Sequence, residues 1–380
     1  MNAYFMNSLP LGCRVVAMGG GTGLSTLLRG LKHSVRRPFG RDNGNLPPQA
    51  QFISDLAAVV AVTDDGGSSG RLRRNLRMLP PGDLRNCMVA LAEDEHLFSR
   101  LFRHRFHAEG ELGGHSFGNL FIAALTEMTG DFTEAIKLAS EILAIRGRIL
   151  PATSANAMLV AKLEDGSLVR GETRISASRQ RIVELTLEPL VVPALTETLQ
   201  AIAGADLITI GPGSLYTSLI TNLLVDGIPE ALATTRATRV YIANLMTEAN
   251  ESLGFSVAEH IERIYEHAGR PIFDYALVNT GPISAAIREC YAAEGAAPAE
   301  ADIERIENMG IRCITGDFVA KGALLRHAPD RVTEALLALV CEPLPLEADR
   351  ARRVRRHIVE VNNAYFLPDG EAAILHSHLD

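Results

Sequence analysis

Four glycines in the run Gly19-Gly20-Gly21-Thr22-Gly23 stand where an apolar stretch, CRVVAM, gives way to leucines at helical spacing in LSTLLRGLK. Backbone without side chains can approach a phosphate closely, and the free N–H groups at a helix start carry the positive end of its dipole, so this run reads as an anion cradle. No lysine precedes Ser25 or Thr26, which excludes a P-loop, and Leu24 stands where the dinucleotide fingerprint has its last glycine. A second run, Gly211-Pro212-Gly213-Ser214, follows DLITI and precedes LYTSLI in the same strand-to-helix position, with Ser214 able to cap that helix or donate to an anion. Open α/β sheets bind ligands at the carboxyl ends of their strands, so the two loops could grip the two ends of one pyrophosphate ligand.

Asp64 and Asp65 end another apolar run in VTDDGGSSGR. Paired carboxylates there could bind Mg²⁺, accept a ribose or sugar hydroxyl, or act as a base; the plain alternative is an Asp-Gly turn. Ser68, Ser69 and Arg71 add donors suited to phosphate oxygens, which favours the functional reading. In PPGDLRN, Asp83 reads as a helix N-cap, with Arg85 and Asn86 left as candidates. His115, Ser116 and Asn119 of GGHSFGN open a helix, where a structural role is the simpler reading, and Asn244 of YIANLMTE is a candidate contact to a hydroxyl or base. No Ser-His-Asp order with a GxSxG elbow, no HExxH and no catalytic CxxC is found, which argues against a hydrolase of standard mechanism.

The elements that must position these residues alternate between apolar strands and amphipathic helices, before and after a β-rich portion that runs from ILPATS to ELTLEP. That rhythm predicts an α/β, Rossmann-like three-layer fold with a mostly parallel sheet, plus the smaller β-rich portion. One domain is expected over 13–342, with a mobile inserted loop at about 34–51, followed by a C-terminal extension over 343–380. The extension carries Arg350, Arg352, Arg353, Arg355 and Arg356, read as a solvated face. With 37 basic against 45 acidic side chains, the formal charge of −8 argues against nucleic acid as a ligand. The five cysteines are far apart and are expected to be buried free thiols. No apolar run is long enough to span a membrane and no signal peptide is recognisable, so a cytoplasmic protein is expected.

In their order along the chain, MGGGTGLSTLLRGLK, VTDDGGSSGRLRR, LPPGDLRNC, GGHSFGNL, ADLITIGPGSLYTSLI and YIANLMTE resemble the gluconeogenesis-factor (YvcK-like) family within the CofD-like superfamily, from about Val15 to Leu339. The resemblance implies a cytoplasmic regulator needed for growth and cell shape on gluconeogenic carbon sources, which binds a UDP-sugar such as UDP-GlcNAc without an established reaction. Other members of the superfamily are Mg²⁺-dependent transferases that move a phospholactyl group from a nucleotide diphosphate donor to a deazaflavin precursor. The absence of Trp and the 5% aromatic content argue mildly against that acceptor.

Carried onto this chain, the resemblance implies ligand contacts from the 19–23 loop, Asp64, Asp65, the 211–214 loop and Asn244. It adds Tyr291, stacking on the uridine, and Arg326, pairing with phosphate. In a transferase, Asp64 or Asp65 would carry the chemistry, with Asp65 on Mg²⁺. The expected partners are a UDP-sugar or other nucleotide diphosphate, an unidentified protein, and further copies of the chain in a homo-oligomer. Three features depart from the family: the 34–51 loop, the tail after Pro343, and NLMTEANES, where relatives carry a Pro-Gly turn after NLMT.

Overall fold

Short runs rich in Val, Ile, Leu and Ala become strands, because residues buried on both faces of a sheet read as continuous apolar stretches. The computed structural model describes residues 12–36, 52–93, 97–107, 110–178, 180–249, 251–322 and 324–341. Among them are ten strands: β1 (Cys13–Gly19), β2 (Ile53–Val60), β3 (Arg148–Pro151), β4 (Met158–Leu163), β5 (Leu168–Arg170), β6 (Ile182–Glu188), β7 (Leu207–Ile210), β8 (Thr238–Ile242), β9 (Tyr275–Asn279) and β10 (Arg312–Gly316). Seven form one sheet in the order β10-β9-β8-β7-β1-β2-β3, and every pair in it is parallel. The chain runs outward from β1 to β3, then returns to β7 on the other side of β1 and runs outward again. This is the doubly wound arrangement, with its topological switch point between β1 and β7.

Val16, Met18, Val59, Ile208 and Ile210 point into one continuous core. Their neighbours Val15, Ala17, Ala58 and Val60 are buried as well, which requires cover on the opposite face. The small antiparallel sheet, β5-β4-β6, places Leu159, Ala161, Leu185 and Leu187 in the first of these layers. Its exit into the helix Thr196–Gly204 leads the chain to β7.

The expected fold class is therefore present, with differences of detail. β3 falls within the predicted β-rich portion, yet it pairs with β2 and joins the main sheet, where Ile149 and Leu150 are buried. β10 and the helix Pro329–Cys341 add to the sequence reading; β10 is a half-buried edge strand whose pattern, RCITG, has a weak apolar period. Of the expected loop at 34–51, Ser34 closes a 3₁₀ turn and Val35 bridges to Ile53, while 37–51 lie outside the described residues. The extension over 343–380 with its arginines lies outside them too. The buried-thiol expectation holds for Cys13 and Cys87 but not for Cys313, half-buried on the edge strand β10, nor for Cys290, which is exposed on the helix Ala285–Ala293 that buries none of its residues. No helix among the described residues is long and apolar enough to cross a membrane.

At the amino edge of the sheet, Asp274 joins β8 to β9. Its carboxylate accepts from Arg239 Nε at 3.0 Å, from Arg239 Nη2 at 2.9 Å and from the Arg239 backbone N–H at 3.0 Å. Removing one member of a buried pair strands the other charge, so Asp274→Ala is expected to cost about 4 kcal/mol, measured as a fall in the urea midpoint.

Candidate functional site

β1 delivers the first glycine loop to the switch point. Gly20 is extended and brings no capping side chain to the helix Gly21–Leu31. Gly21, at φ +58°, turns the chain through the left-handed region that a glycine enters without strain. Ser25 Oγ and Thr26 Oγ1 each donate to the Thr22 carbonyl at 2.9 Å, which draws in the first turn. A Cβ at Gly23 would stand 2.3 Å from the Pro212 carbonyl oxygen, so glycine is required there by contact with the second loop.

The second loop differs from the reading of it as a matching anion grip. Its helix begins with a wide π-type turn, Leu215–Ile220, whose leading donors are already taken. Glu251 accepts from Tyr216 N–H at 2.9 Å, Thr217 N–H at 3.2 Å and Thr217 Oγ1 at 2.7 Å. Ser214 makes no cap; its Oγ donates to Glu248 Oε1 at 3.1 Å. Asn244 is paired twice with Gly213, accepting from its N–H at 3.2 Å and donating to its carbonyl at 2.8 Å. A helix end that holds a carboxylate of its own chain has its dipole satisfied from within. This loop therefore serves as backing for the first.

Across from the glycines stand acidic residues from three segments. Asp83 lies in the first turn of the helix Gly82–Leu91 rather than at its N-cap, which is Pro81. Its carboxylate faces Gly20 and Gly21: a Cβ at Gly20 would stand 3.0 Å from Asp83 Oδ2 and 3.2 Å from Ser218 Oγ, and one at Gly21 3.7 Å from Asp83 Oδ1. Burial, and then the charge of Asp64, push Asp83 up to about 6, against the Gly21 N–H and Arg85. Asp64 Oδ1 accepts from Gly66 N–H at 2.9 Å. Glu172 is held well above the ordinary carboxyl range by burial and by Asp83 and Asp64, while its carboxylate accepts from Thr63 Oγ1 at 3.0 Å.

Asp65 is turned away and plays a structural part. Its Oδ1 accepts from Thr173 N–H at 2.8 Å and Thr173 Oγ1 at 2.7 Å, fixing the start of the helix Glu172–Ala177. Among the described residues no three His, Cys, Asp or Glu side chains gather as a metal site, and Asp65 in this setting does not fit the Mg²⁺ ligand that the resemblance implies.

The segments around 64–69, 82–86 and 115–119 meet beside this wall. Ser68 Oγ lies 2.9 Å from His115 Nδ1, Arg85 Nη1 donates to Ser116 Oγ at 2.5 Å, and Asn119 Nδ2 reaches Ser69 Oγ at 3.4 Å. Burial, aided by Arg71, lowers His115, which keeps it neutral at pH 7. Ser116 caps its helix by accepting the Asn119 N–H, in keeping with the structural reading of that motif.

The two residues named only through the resemblance lie farther along the carboxyl edge. Asn244 lines a cleft of about 280 Å³ with Asn279, Thr280, Gly281 and Arg288 at the ends of β8 and β9. Neither Tyr291 nor Arg326 lines it: Tyr291 is half-buried on the outer helix Ala285–Ala293, and Arg326 is exposed. The segment of Arg326 is tied to the end of β8 by His327 Nε2, which donates to the Ala243 carbonyl at 3.1 Å. A wider cleft of about 610 Å³ opens at the amino ends of β1 and β3, remote from the glycine loops. Within it Arg148 pairs with Asp55 and Lys137 with Glu197, while Arg14 pairs with Asp206.

Asn222, Glu172 and Glu251 were not singled out from the sequence. Asn222 had a signal: Ser214, Ser218 and Asn222 recur every four residues, which puts them on one face of the helix that starts at Leu215. Its Nδ2 donates to the Gly19 carbonyl at 3.0 Å and the Ser218 carbonyl at 2.8 Å, pinning the end of β1.

A doubly wound parallel sheet with two glycine loops in contact at its switch point defines the class, a Rossmann-like α/β protein. Comparison with known proteins narrows it. A family described as 2-phospho-L-lactate transferase CofD matches residues 15–319. The gluconeogenesis factor of Bacillus subtilis strain 168 is 43% identical over 330 residues, covering 87% of this chain and 98% of the relative. That of Halalkalibacterium halodurans is 44% identical over 324 residues, with 85% and 95% covered. A crystal structure of a UPF0052 family member from Bacillus halodurans is 43% identical with a TM-score of 0.79, covering 86% of this chain and 99% of that one. The chain belongs to the gluconeogenesis-factor branch of the CofD family.

Two outcomes test the self-capped loop. Glu251→Ala strands three donors and is expected to cost about 3 kcal/mol; inorganic phosphate should then raise the Tm of the variant more than that of the wild type, because the freed helix end can take the anion. Glu248 is pushed up to about 7 by burial and by Glu251, against the Ser214 hydroxyl. A carboxyl that binds its proton more tightly when folded loses stability as pH rises from its ordinary value of about 4.3 toward its folded value. Glu248→Gln is expected to flatten that part of the decline in urea titrations across this range.

Proposed function

We propose that the protein is a cytoplasmic regulator that binds a nucleotide sugar, with a UDP-sugar such as UDP-GlcNAc as the leading ligand, and that supports growth and cell shape under gluconeogenic conditions. The observation that carries this reading is the first glycine loop: a helix N-terminus without a capping side chain, at the switch point of a doubly wound sheet. The diphosphate lies over Gly20 to Gly23. The nucleoside end extends toward the cleft at Asn244 and Arg288, and the sugar end faces Asp64, Asp83, Ser68 and Ser69. Occupancy shifts the protein between conformations that a protein partner distinguishes.

The family description supports a transferase as the second reading, in which the polar wall would hold an acceptor group. No step in either reading is routed through Mg²⁺. Calorimetric titration of the purified protein with UDP-GlcNAc, UDP-glucose, GDP and NAD, followed by product analysis, separates the two. Selective binding of uridine sugars without product is the expected result. Steady release of UDP or a transferred group, or a preference for GDP, would replace the regulator with the transferase.

A further inference from the structure

The acidic wall is an awkward neighbour for a phosphate. Asp83 faces Gly20 and Gly21, the charge of Asp64 acts on it as well, and none of the ion pairs among the described residues includes Asp64, Asp83 or Glu172. The nearby cations are held elsewhere. Arg85 donates to Ser116 and Asn86, and Arg73 donates to the Thr63 and Ala157 carbonyls and to Asn156. Beside the wall, two buried polar atoms have no partner among the described residues, Asn119 Oδ1 and Arg85 Nε, in residues that are only 2% and 7% exposed. One accepts and one donates, the combination that a hydroxyl satisfies directly or through an ordered water.

We infer that Asp83 is a specificity-determining residue of the glycine cradle, selecting diphosphate diesters whose far end is a hydroxylated group over nucleoside diphosphates that end in a free phosphate. This deepens the proposed function and rests on it. The terminal phosphate of a nucleoside diphosphate carries close to two charges above pH 7 and meets the Asp83 and Asp64 carboxylates at short range. Esterification removes one of those charges. A sugar ring adds hydroxyl donors, and ionised carboxylates are acceptors only, so the wall that repels the free phosphate hydrogen-bonds the sugar.

The test is calorimetric titration of the full-length protein at pH 8 with three probes, namely UDP-GlcNAc, UDP, and the methyl ester of UDP on its terminal phosphate. The wild type is expected to bind the methyl ester on the order of tenfold more tightly than UDP, and UDP-GlcNAc at least as tightly as the ester. In Asp83→Asn the gap between UDP and its methyl ester should close, with UDP binding gaining more than UDP-GlcNAc binding. Equal affinity of the wild type for UDP and its methyl ester overturns the inference while leaving uridine-sugar binding in place, as does an unchanged gap in a folded Asp83→Asn protein. Should that variant fail to fold, the ester comparison on the wild type alone decides. If none of the three probes binds the wild type, both this inference and the proposed function fall.

Discussion

Everything at the carboxyl edge depends on how closely two loops approach at the switch point. Reversal of strand order sets β1 beside β7, so the loops that follow these strands must share one space. They do so only because Gly23 has no Cβ to meet the Pro212 carbonyl. Asn222 completes the joint by holding the Gly19 carbonyl from the helix behind the second loop. Sheet order thus sets the place of the site, and one missing methyl sets its shape.

The two loops look equivalent by position and differ electrically. Both lead from a strand into a helix whose dipole favours an anion. At the second helix that demand is met by Glu251, a carboxylate of the chain itself, with Glu248 raised beside it. At the first, the nearest carboxylate, Asp83, faces Gly20 and Gly21 without capping the helix and is itself raised by burial. A site made of one filled and one sparsely capped helix end has a direction, because only one side presents backbone donors to a ligand.

How far the sequence could be read follows from the range of the interactions. The glycine loops, the Asp-Asp turn and the β-strand alternation are local patterns, and the fold class followed from them. The role of Asp65 could not be read, since its partner Thr173 lies 108 residues away in an inserted segment. Glu251 was hidden for a similar reason, being 35 residues from the backbone it caps. Asp83 reads as a cap because proline and glycine precede it, yet Pro81 takes the cap position and the Asp83 carboxylate faces Gly20 and Gly21. Local spacing identifies which residues are polar for a cause; the cause is set by elements that meet only in the folded chain.

The return from β3 to β7 also governs the order in which the protein can take shape. β1 pairs with β2, the next strand along the chain, but its other neighbour comes much later: Arg14 meets Asp206 across a separation of 192 residues, and Asn222 reaches Gly19 across 203. Closing so long a loop carries an entropic penalty before any contact offsets it, and topologies rich in such pairings fold slowly. The central strand of the sheet therefore has one open edge until the second half of the chain docks. The carboxyl edge of the sheet is among the last parts to assemble, and a chain truncated before β7 contains the first glycine loop without the surface that gives it form.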